Sequence, residues 1–210
     1  KDGYYVDRTY QPLEFSKFGR TMGWHMTGGN DKGYLLKDTS PPVSFAYAQY
    51  QWPGTYFEAA FEGAEVVVKL RDTRNILHLS IDDQPPIVLT KPGNIEYRIK
   101  GLSIGRHTIR LANVTEFQSP IDDYEGLYGF YVPKGQTPLP APAHSRQIEF
   151  IGDSWTVGYG NTSTTHTCPG DQVWATTNTQ EAFGALTAKH YDADYQINAI
   201  SGRGIVRNYN

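Results

Sequence analysis

Between about residues 43 and 132 the chain alternates apolar and polar side chains in short runs. Over 94–100, Ile95, Tyr97 and Ile99 fall on one face while Glu96, Arg98 and Lys100 fall on the other. Leu77, Leu79 and Ile81 oppose His78, Ser80 and Asp82 in the same way, and Ile109 with Leu111 opposes Thr108 with Arg110. A period of two predicts strands with one buried and one wet face. Asp82-Asp83, Lys91-Pro92-Gly93 and the stretch from Ser103 to Gly105 punctuate the runs as turns, with no sustained helical period between them. The pattern predicts roughly eight strands in a jelly-roll or similar two-sheet β-sandwich, an all-β domain over residues 1–135.

The grammar then changes twice. Pro133, Pro138, Pro140 and Pro142 fall within ten residues, which predicts a stiff, extended linker over 136–146 and a domain boundary there. Residues 147–151 read as a short strand that runs straight into Gly152-Asp153-Ser154. The spacing predicts a helix over 180–191, with Thr179 as its cap, Glu181 in its first turn, and Ala182, Phe183, Leu186 and His190 near one stripe. A second strand over 193–200 closes into Ser201-Gly202-Arg203-Gly204. Strand, helix, strand is the opening of a parallel α/β domain over 147–210.

In such sheets ligands bind beyond the carboxyl ends of the strands, where both glycine-containing junctions fall. Glycine permits the tight turn before Ser154, and a serine there is placed to act as a nucleophile beside a backbone N–H able to bind a developing oxyanion. Gly202 offers a second N–H with no side chain to block the approach. A bare Gly-Asp-Ser tripeptide is also a common plain turn; its position at a strand end, with the second junction at Ser201, favours chemistry.

Composition and charge narrow the field. With 39% hydrophobic residues and 9 Phe, 15 Tyr and 4 Trp among 210, the chain can bury a core. The net charge of -3 leaves no basic footprint, so neither nucleic acid nor an anionic membrane is expected as a partner. No apolar run approaches the roughly 18 residues that span a bilayer. Cys168 is the single cysteine, read as a small buried apolar residue or half of a disulfide to a segment outside these residues rather than a nucleophile. His144 and His166, the closest histidine pair, lie 22 positions apart, so no metal site and no cofactor is expected. Trp52, Trp155 and Trp174 could stack on sugar rings, although Trp52 suits a core better. Asn113 and Asn161 begin glycosylation sequons.

Residues 147–161 resemble the first conserved block of the SGNH, or GDSL, hydrolases, and 193–210 resemble the second block in the form found in family 2 of the carbohydrate esterases. Trp52-Pro53-Gly54-Thr55, Gly105-Arg106-His107 and Thr115-Glu116 resemble landmarks of the jelly-roll domain that precedes the SGNH domain in that family. The resemblance covers the chain from about Gly19 onward. It implies a flavodoxin-like parallel sheet after the sandwich and a secreted acetyl esterase acting on acetylated xylan- or mannan-type polysaccharide. It makes Ser154 the nucleophile, the N–H groups of Ser154 and Gly202 oxyanion donors, and Asp153 a support for the turn, with Trp155 a substrate contact. It also implies a histidine base in an Asp-x-x-His block and an oxyanion asparagine in a Gly-x-Asn-Asp block. Neither pattern occurs after Ser154. The expected partner is therefore a C-terminal remainder supplying both, with residues 147–210 the first part of the catalytic domain. His166, alone in the loop after Ser154, is a poor substitute base. The competing expectations are a non-catalytic carbohydrate-binding protein and a lipid or aryl esterase of the same superfamily.

Overall fold

A computed structural model describes residues 9–19, 48–117, 126–204 and 206–209. Eleven strands build two antiparallel sheets. They are β1 (Tyr10–Pro12), β2 (Phe15–Phe18), β3 (Ala48–Gln49), β4 (Tyr56–Glu62), β5 (Glu65–Asp72), β6 (Ile76–Ile81), β7 (Ile87–Thr90), β8 (Gly93–Lys100), β9 (Arg106–Asn113), β10 (Gly126–Pro133) and β11 (Thr137–Leu139). One sheet runs β1-β10-β5-β8, with β3 also on β10; the other runs β11-β4-β9-β6-β7, with β2 also on β4. Positions 43–47 of the predicted first run lie outside the described residues.

Alternation explains the core between the sheets. Phe57, Ala59 and Phe61 of β4, Leu77, Leu79 and Ile81 of β6, and Ile109 and Leu111 of β9 meet Val66, Val68 and Leu70 of β5 and Phe130 of β10. Ile95, Tyr97 and Ile99 lean on this cluster from β8, while Glu96, Arg98 and Lys100 are exposed. Burying such side chains contributes roughly 1.5–3 kcal/mol each before entropy is counted.

The proline-rich segment 136–146 is not a free-standing linker. Its β11 adds to the edge of the second sheet, with Pro138 opposite Phe61, a position where proline costs nothing because an edge strand needs no further N–H. Gln136 anchors the turn before it, accepting from the amides of Ala64 and Glu65 and donating to the Glu65 carbonyl. Ser16 Oγ donates to the Pro142 carbonyl at 2.9 Å.

Next come β12 (Arg146–Gly152), α1 (Ser154–Val157), α2 (Gly170–Ala175), a 3-10 turn (Thr179–Glu181), α3 (Phe183–His190) and β13 (Ala193–Ala199). Strands β12 and β13 pair in parallel, from Arg146 opposite Ala193 to Gly152 opposite Ala199. The helix starts later than expected. Asn178, not Thr179, caps the 3-10 turn by accepting from the Gln180 amide, and α3 begins after Ala182 breaks into extended geometry. Its buried face is Gly184, Ala185 and Ala188, whereas Phe183 and Leu186 are half exposed. Close approach selects the small residues: a Cβ on Gly184 would sit 2.9 Å from Ile197 Cδ1 and 3.1 Å from the Phe150 ring.

The second sheet's outer face packs on this unit. Phe18, Tyr56 and Ala112 share a cluster with Val157, Ala185, Ala188, Tyr195 and Ile197. Gly54 marks the tightest point, with φ +74° and an added Cβ 2.5 Å from Ile197 Cγ1, so only glycine satisfies both backbone and space. Thr179 reaches back to the sandwich, donating from its N and Oγ1 to the Val114 carbonyl at 3.0 and 2.8 Å.

His107 ties two turns of the sandwich together. Its Nδ1 lies 2.8 Å from Asp82 Oδ2 and its Nε2 2.9 Å from the Ser103 carbonyl. Both partners are acceptors, so the imidazole is satisfied only with a proton on each nitrogen; the Ser103 carbonyl first and the Asp82 carboxylate second raise its pKa. A folded-state pKa above the unfolded value near 6.5 stabilises the fold fully below about pH 6.5, and that contribution is lost as pH rises through the folded value. Urea unfolding of the wild type and Asp82→Asn should therefore differ most near pH 6, and the gap should narrow toward pH 9. A gap independent of pH would refute the charged form.

Candidate active site

Strand β12 delivers Ser154 to the edge of the parallel pair. Gly152 allows the close packing of Thr156 behind the turn, since a Cβ there would lie 2.0 Å from Thr156 Oγ1. Asp153 caps α1, its side chain accepting from the Trp155 amide at 3.0 Å. Gly158, left-handed at φ +77°, ends the helix after one turn. Ser154 is its first residue and is half-buried, and Trp155 next to it is 84% exposed. Among the described residues Ser154 Oγ has no hydrogen-bond partner, whether from His166 or another group.

The register of β12 on β13 fixes where the second junction leaves the sheet. Gly152 stands opposite Ala199, so Ser154 and Ser201 follow the paired residues by equal steps at the same edge. Arg203 N donates to the Ile200 carbonyl at 3.2 Å, closing a turn whose third residue, Gly202, has φ +79°. Tyr209 N donates to the Gly202 carbonyl at 2.9 Å. From the sandwich, Glu116 Oε2 accepts from the Ser201 amide at 2.9 Å.

Behind this edge lies a polar cluster that pattern reading missed. Arg110 was expected on the wet face of β9; it instead sits in the seam against the parallel unit. Its Nη1 donates to Glu58 Oε1 at 2.7 Å, its Nη2 to Tyr195 Oη at 2.9 Å, and its guanidinium lies 3.7 Å from the Tyr56 ring centroid. Tyr195 Oη donates onward to Gln180 Oε1 at 2.7 Å. Tyr56 Oη accepts from the Tyr195 amide at 3.2 Å and donates to Asp194 Oδ1 at 3.1 Å. Burial holds the Tyr56 hydroxyl far above the ordinary tyrosine pKa, so it remains a donor. Burial also raises the Asp194 carboxyl, against the His144 amide and Tyr56 hydroxyl that lower it. The available signal was the run Tyr56, Glu58 and Arg110, Ala112 on facing outward positions, too large and mixed for a plain solvated surface.

Glu58, His144 and Asp194 bring three potential metal-ligand atoms within 4.8 Å of one another. Arg110 pairs with Glu58 at 2.7 Å, and His144 Nδ1 lies 2.9 Å from Asp192 Oδ1.

Other expectations are redrawn by burial. Cys168 is half-exposed rather than buried, and hydrogen bonds from Ser163 first and Thr165 second lower its thiol pKa. Trp52 is buried, Trp174 lies under Lys91 Nζ at 4.3 Å, and Trp155 is the open ring. Asn113 is 2% exposed and donates to the Trp52 carbonyl, which removes its sequon from reach, and Asn161 is engaged through both ends of its amide by Asn178.

The fold is similar to that of solved carbohydrate esterases. A solved carbohydrate esterase whose active site has divergent catalytic and non-catalytic binding functions superposes with a TM-score of 0.76 at 44% identity, covering 95% of this chain and 53% of that one. A family two carbohydrate esterase from Clostridium thermocellum, in complex with cellohexaose, gives a TM-score of 0.62 at 28% identity over 75% of this chain and 48% of that one. Residues 44–142 match the carbohydrate esterase 2 N-terminal domain, and the chain resembles carbohydrate esterase family 2. An acetylxylan esterase / glucomannan deacetylase of Cellvibrio japonicus is 51% identical over 169 residues, 80% of this chain and 45% of that protein. The chain thus spans about half the length of these relatives.

Proposed function

We propose that this chain carries the nucleophile half of a serine esterase of the SGNH type, which removes O-acetyl groups from plant cell-wall polysaccharide of xylan or mannan type. The observation that carries the reading is the placement of Ser154 and Gly202 at one edge of the parallel pair. Ser154 Oγ attacks the acetyl carbonyl, and the N–H groups of Ser154 and Gly202 take the negative charge that develops on its oxygen. Collapse expels the sugar hydroxyl and leaves an acetyl-enzyme, which water cleaves to acetate. Asp153 holds the turn by capping α1. The base and a third oxyanion donor come from residues outside these 210, and the enzyme acts outside the cell, where its polymeric substrate lies. The Cellvibrio relative's deacetylase activity supports the reading.

The test is acetate release by the full-length protein from acetylated xylan and acetylated glucomannan, combined with fluorophosphonate labelling mapped by mass spectrometry. Release from either polymer with the label on Ser154 is expected. Hydrolysis of aryl or long-chain esters alone would move the protein to another esterase class. Trp155, open beside Ser154, supports a second reading as a carbohydrate-binding protein; binding of deacetylated glycan with neither acetate release nor labelling would establish it.

A further inference from the structure

We propose that Glu116, a residue of the sandwich, is a positioning residue for the oxyanion loop. The proposal rests on the reading of Ser154 as nucleophile and Gly202 as oxyanion donor.

Glu116 lies just beyond β9, 85 positions before the residue it holds, and is 8% exposed. Its own backbone is pinned by the strand end that precedes it. Asn113 N donates to the Thr55 carbonyl at 2.8 Å, the Val114 carbonyl takes both donors of Thr179, and Thr115 Oγ1 accepts from the Ile76 amide at 3.0 Å. A carboxylate carried on so fixed a backbone accepts from the Ser201 amide at 2.9 Å, a charge-assisted bond of about twice the ordinary strength.

The Gly202 N–H belongs to the Ser201–Gly202 peptide, so the placement of Ser201 sets its direction. The 200–203 turn is closed on one side by Arg203 and on the other by Tyr209, which is 92% exposed. Gly202 is free to rotate by virtue of having no side chain, so the turn needs an external reference to keep one orientation. Glu116 supplies it from a different layer of the protein. A negative charge near an oxyanion site opposes the developing charge, so the residue's contribution is geometric and not electrostatic. Oxyanion donors must hold their geometry within about 0.5 Å, and a displacement near 1 Å costs up to about 100-fold in rate.

The experiment uses the full-length protein with Glu116→Ala, Glu116→Asp and Glu116→Gln, with Ser154→Ala as control. Glu116→Ala should lower kcat by about 10- to 100-fold with KM unchanged, and should weaken inhibition by an alkyl boronate, a tetrahedral mimic of the transition state, in the same proportion. Glu116→Gln keeps an acceptor and should restore most of both. Glu116→Asp, which withdraws the carboxylate by one methylene, should fall between and serves if the alanine variant fails to fold. Unchanged kcat in Glu116→Ala or Glu116→Asp, or a loss matched by fallen folded fraction with boronate affinity intact, overturns the proposal. Activity surviving in Ser154→Ala would instead remove the reading beneath it, a result separable from an active Glu116→Ala beside an inactive Ser154→Ala.

Discussion

Replacing Ser154 with alanine in the full-length protein is expected to lower acetate release about 10⁴- to 10⁶-fold, the range seen when a serine nucleophile is deleted while binding and oxyanion donors remain. The residual rate would come from the Ser154 and Gly202 backbone amides, which the substitution leaves in place. The variant should fold as well as the parent. Among the described residues Ser154 Oγ has no partner to lose, and the cap on α1 is made by Asp153, so the unfolding free energy should move by less than about 0.5 kcal/mol. Binding of acetylated xylan should also persist. Activity within tenfold of the parent would end the assignment of Ser154 as nucleophile.

Arg110→Met should destabilise the protein by about 3 kcal/mol. The change strands Glu58, whose side chain is 8% exposed, and removes the donor to Tyr195 Oη and the cation over the Tyr56 ring. Breaking a buried pair from one side costs roughly 3–5 kcal/mol. Arg110 itself is 27% exposed, so water reaches the site and the lower end applies. Glu58→Gln combined with Arg110→Met should cost less than the two singles together, because the second change removes the charge that the first leaves unpaired. Urea unfolding of the four proteins measures this cycle; a single-variant loss under about 0.5 kcal/mol would show that the pair holds nothing together.

The sandwich was legible because its strands have one face against the opposing sheet, and that pairing writes itself as a period of two. Leu77, Leu79 and Ile81 needed no knowledge of the rest of the chain. The outward face of β4 and β9 was not legible, since Arg110 obeys the same alternation whether its face meets water or another layer. Helix α3 was predicted, but its buried face hid for a related reason. Its buried side is glycine and alanine, chosen for closeness to Phe150 and Ile197, and small residues leave little hydrophobic signal, while the conspicuous Phe183 and Leu186 stay half exposed. The proline run read as a linker because proline donates no hydrogen bond, a lack that an edge strand such as β11 tolerates. The Ser154 and Gly202 junctions were legible from glycine and position. Glu116 stood out only as part of a family landmark and its contact was not legible, because its partner is a backbone amide, and any residue at 201 other than proline supplies one.

The Tyr56 hydroxyl, shared between the Tyr195 amide and Asp194, bears on modularity. An accessory module that travels between proteins as a cassette meets its neighbour through a tether and little else, and can be exchanged without cost. Here Tyr56, Glu58, Arg110 and Glu116 make the sandwich part of the housing of the second unit. A chimaera joining residues 146–210 to a foreign β-sandwich would have to bring those four residues with it, and Gly54 to leave room for Ile197.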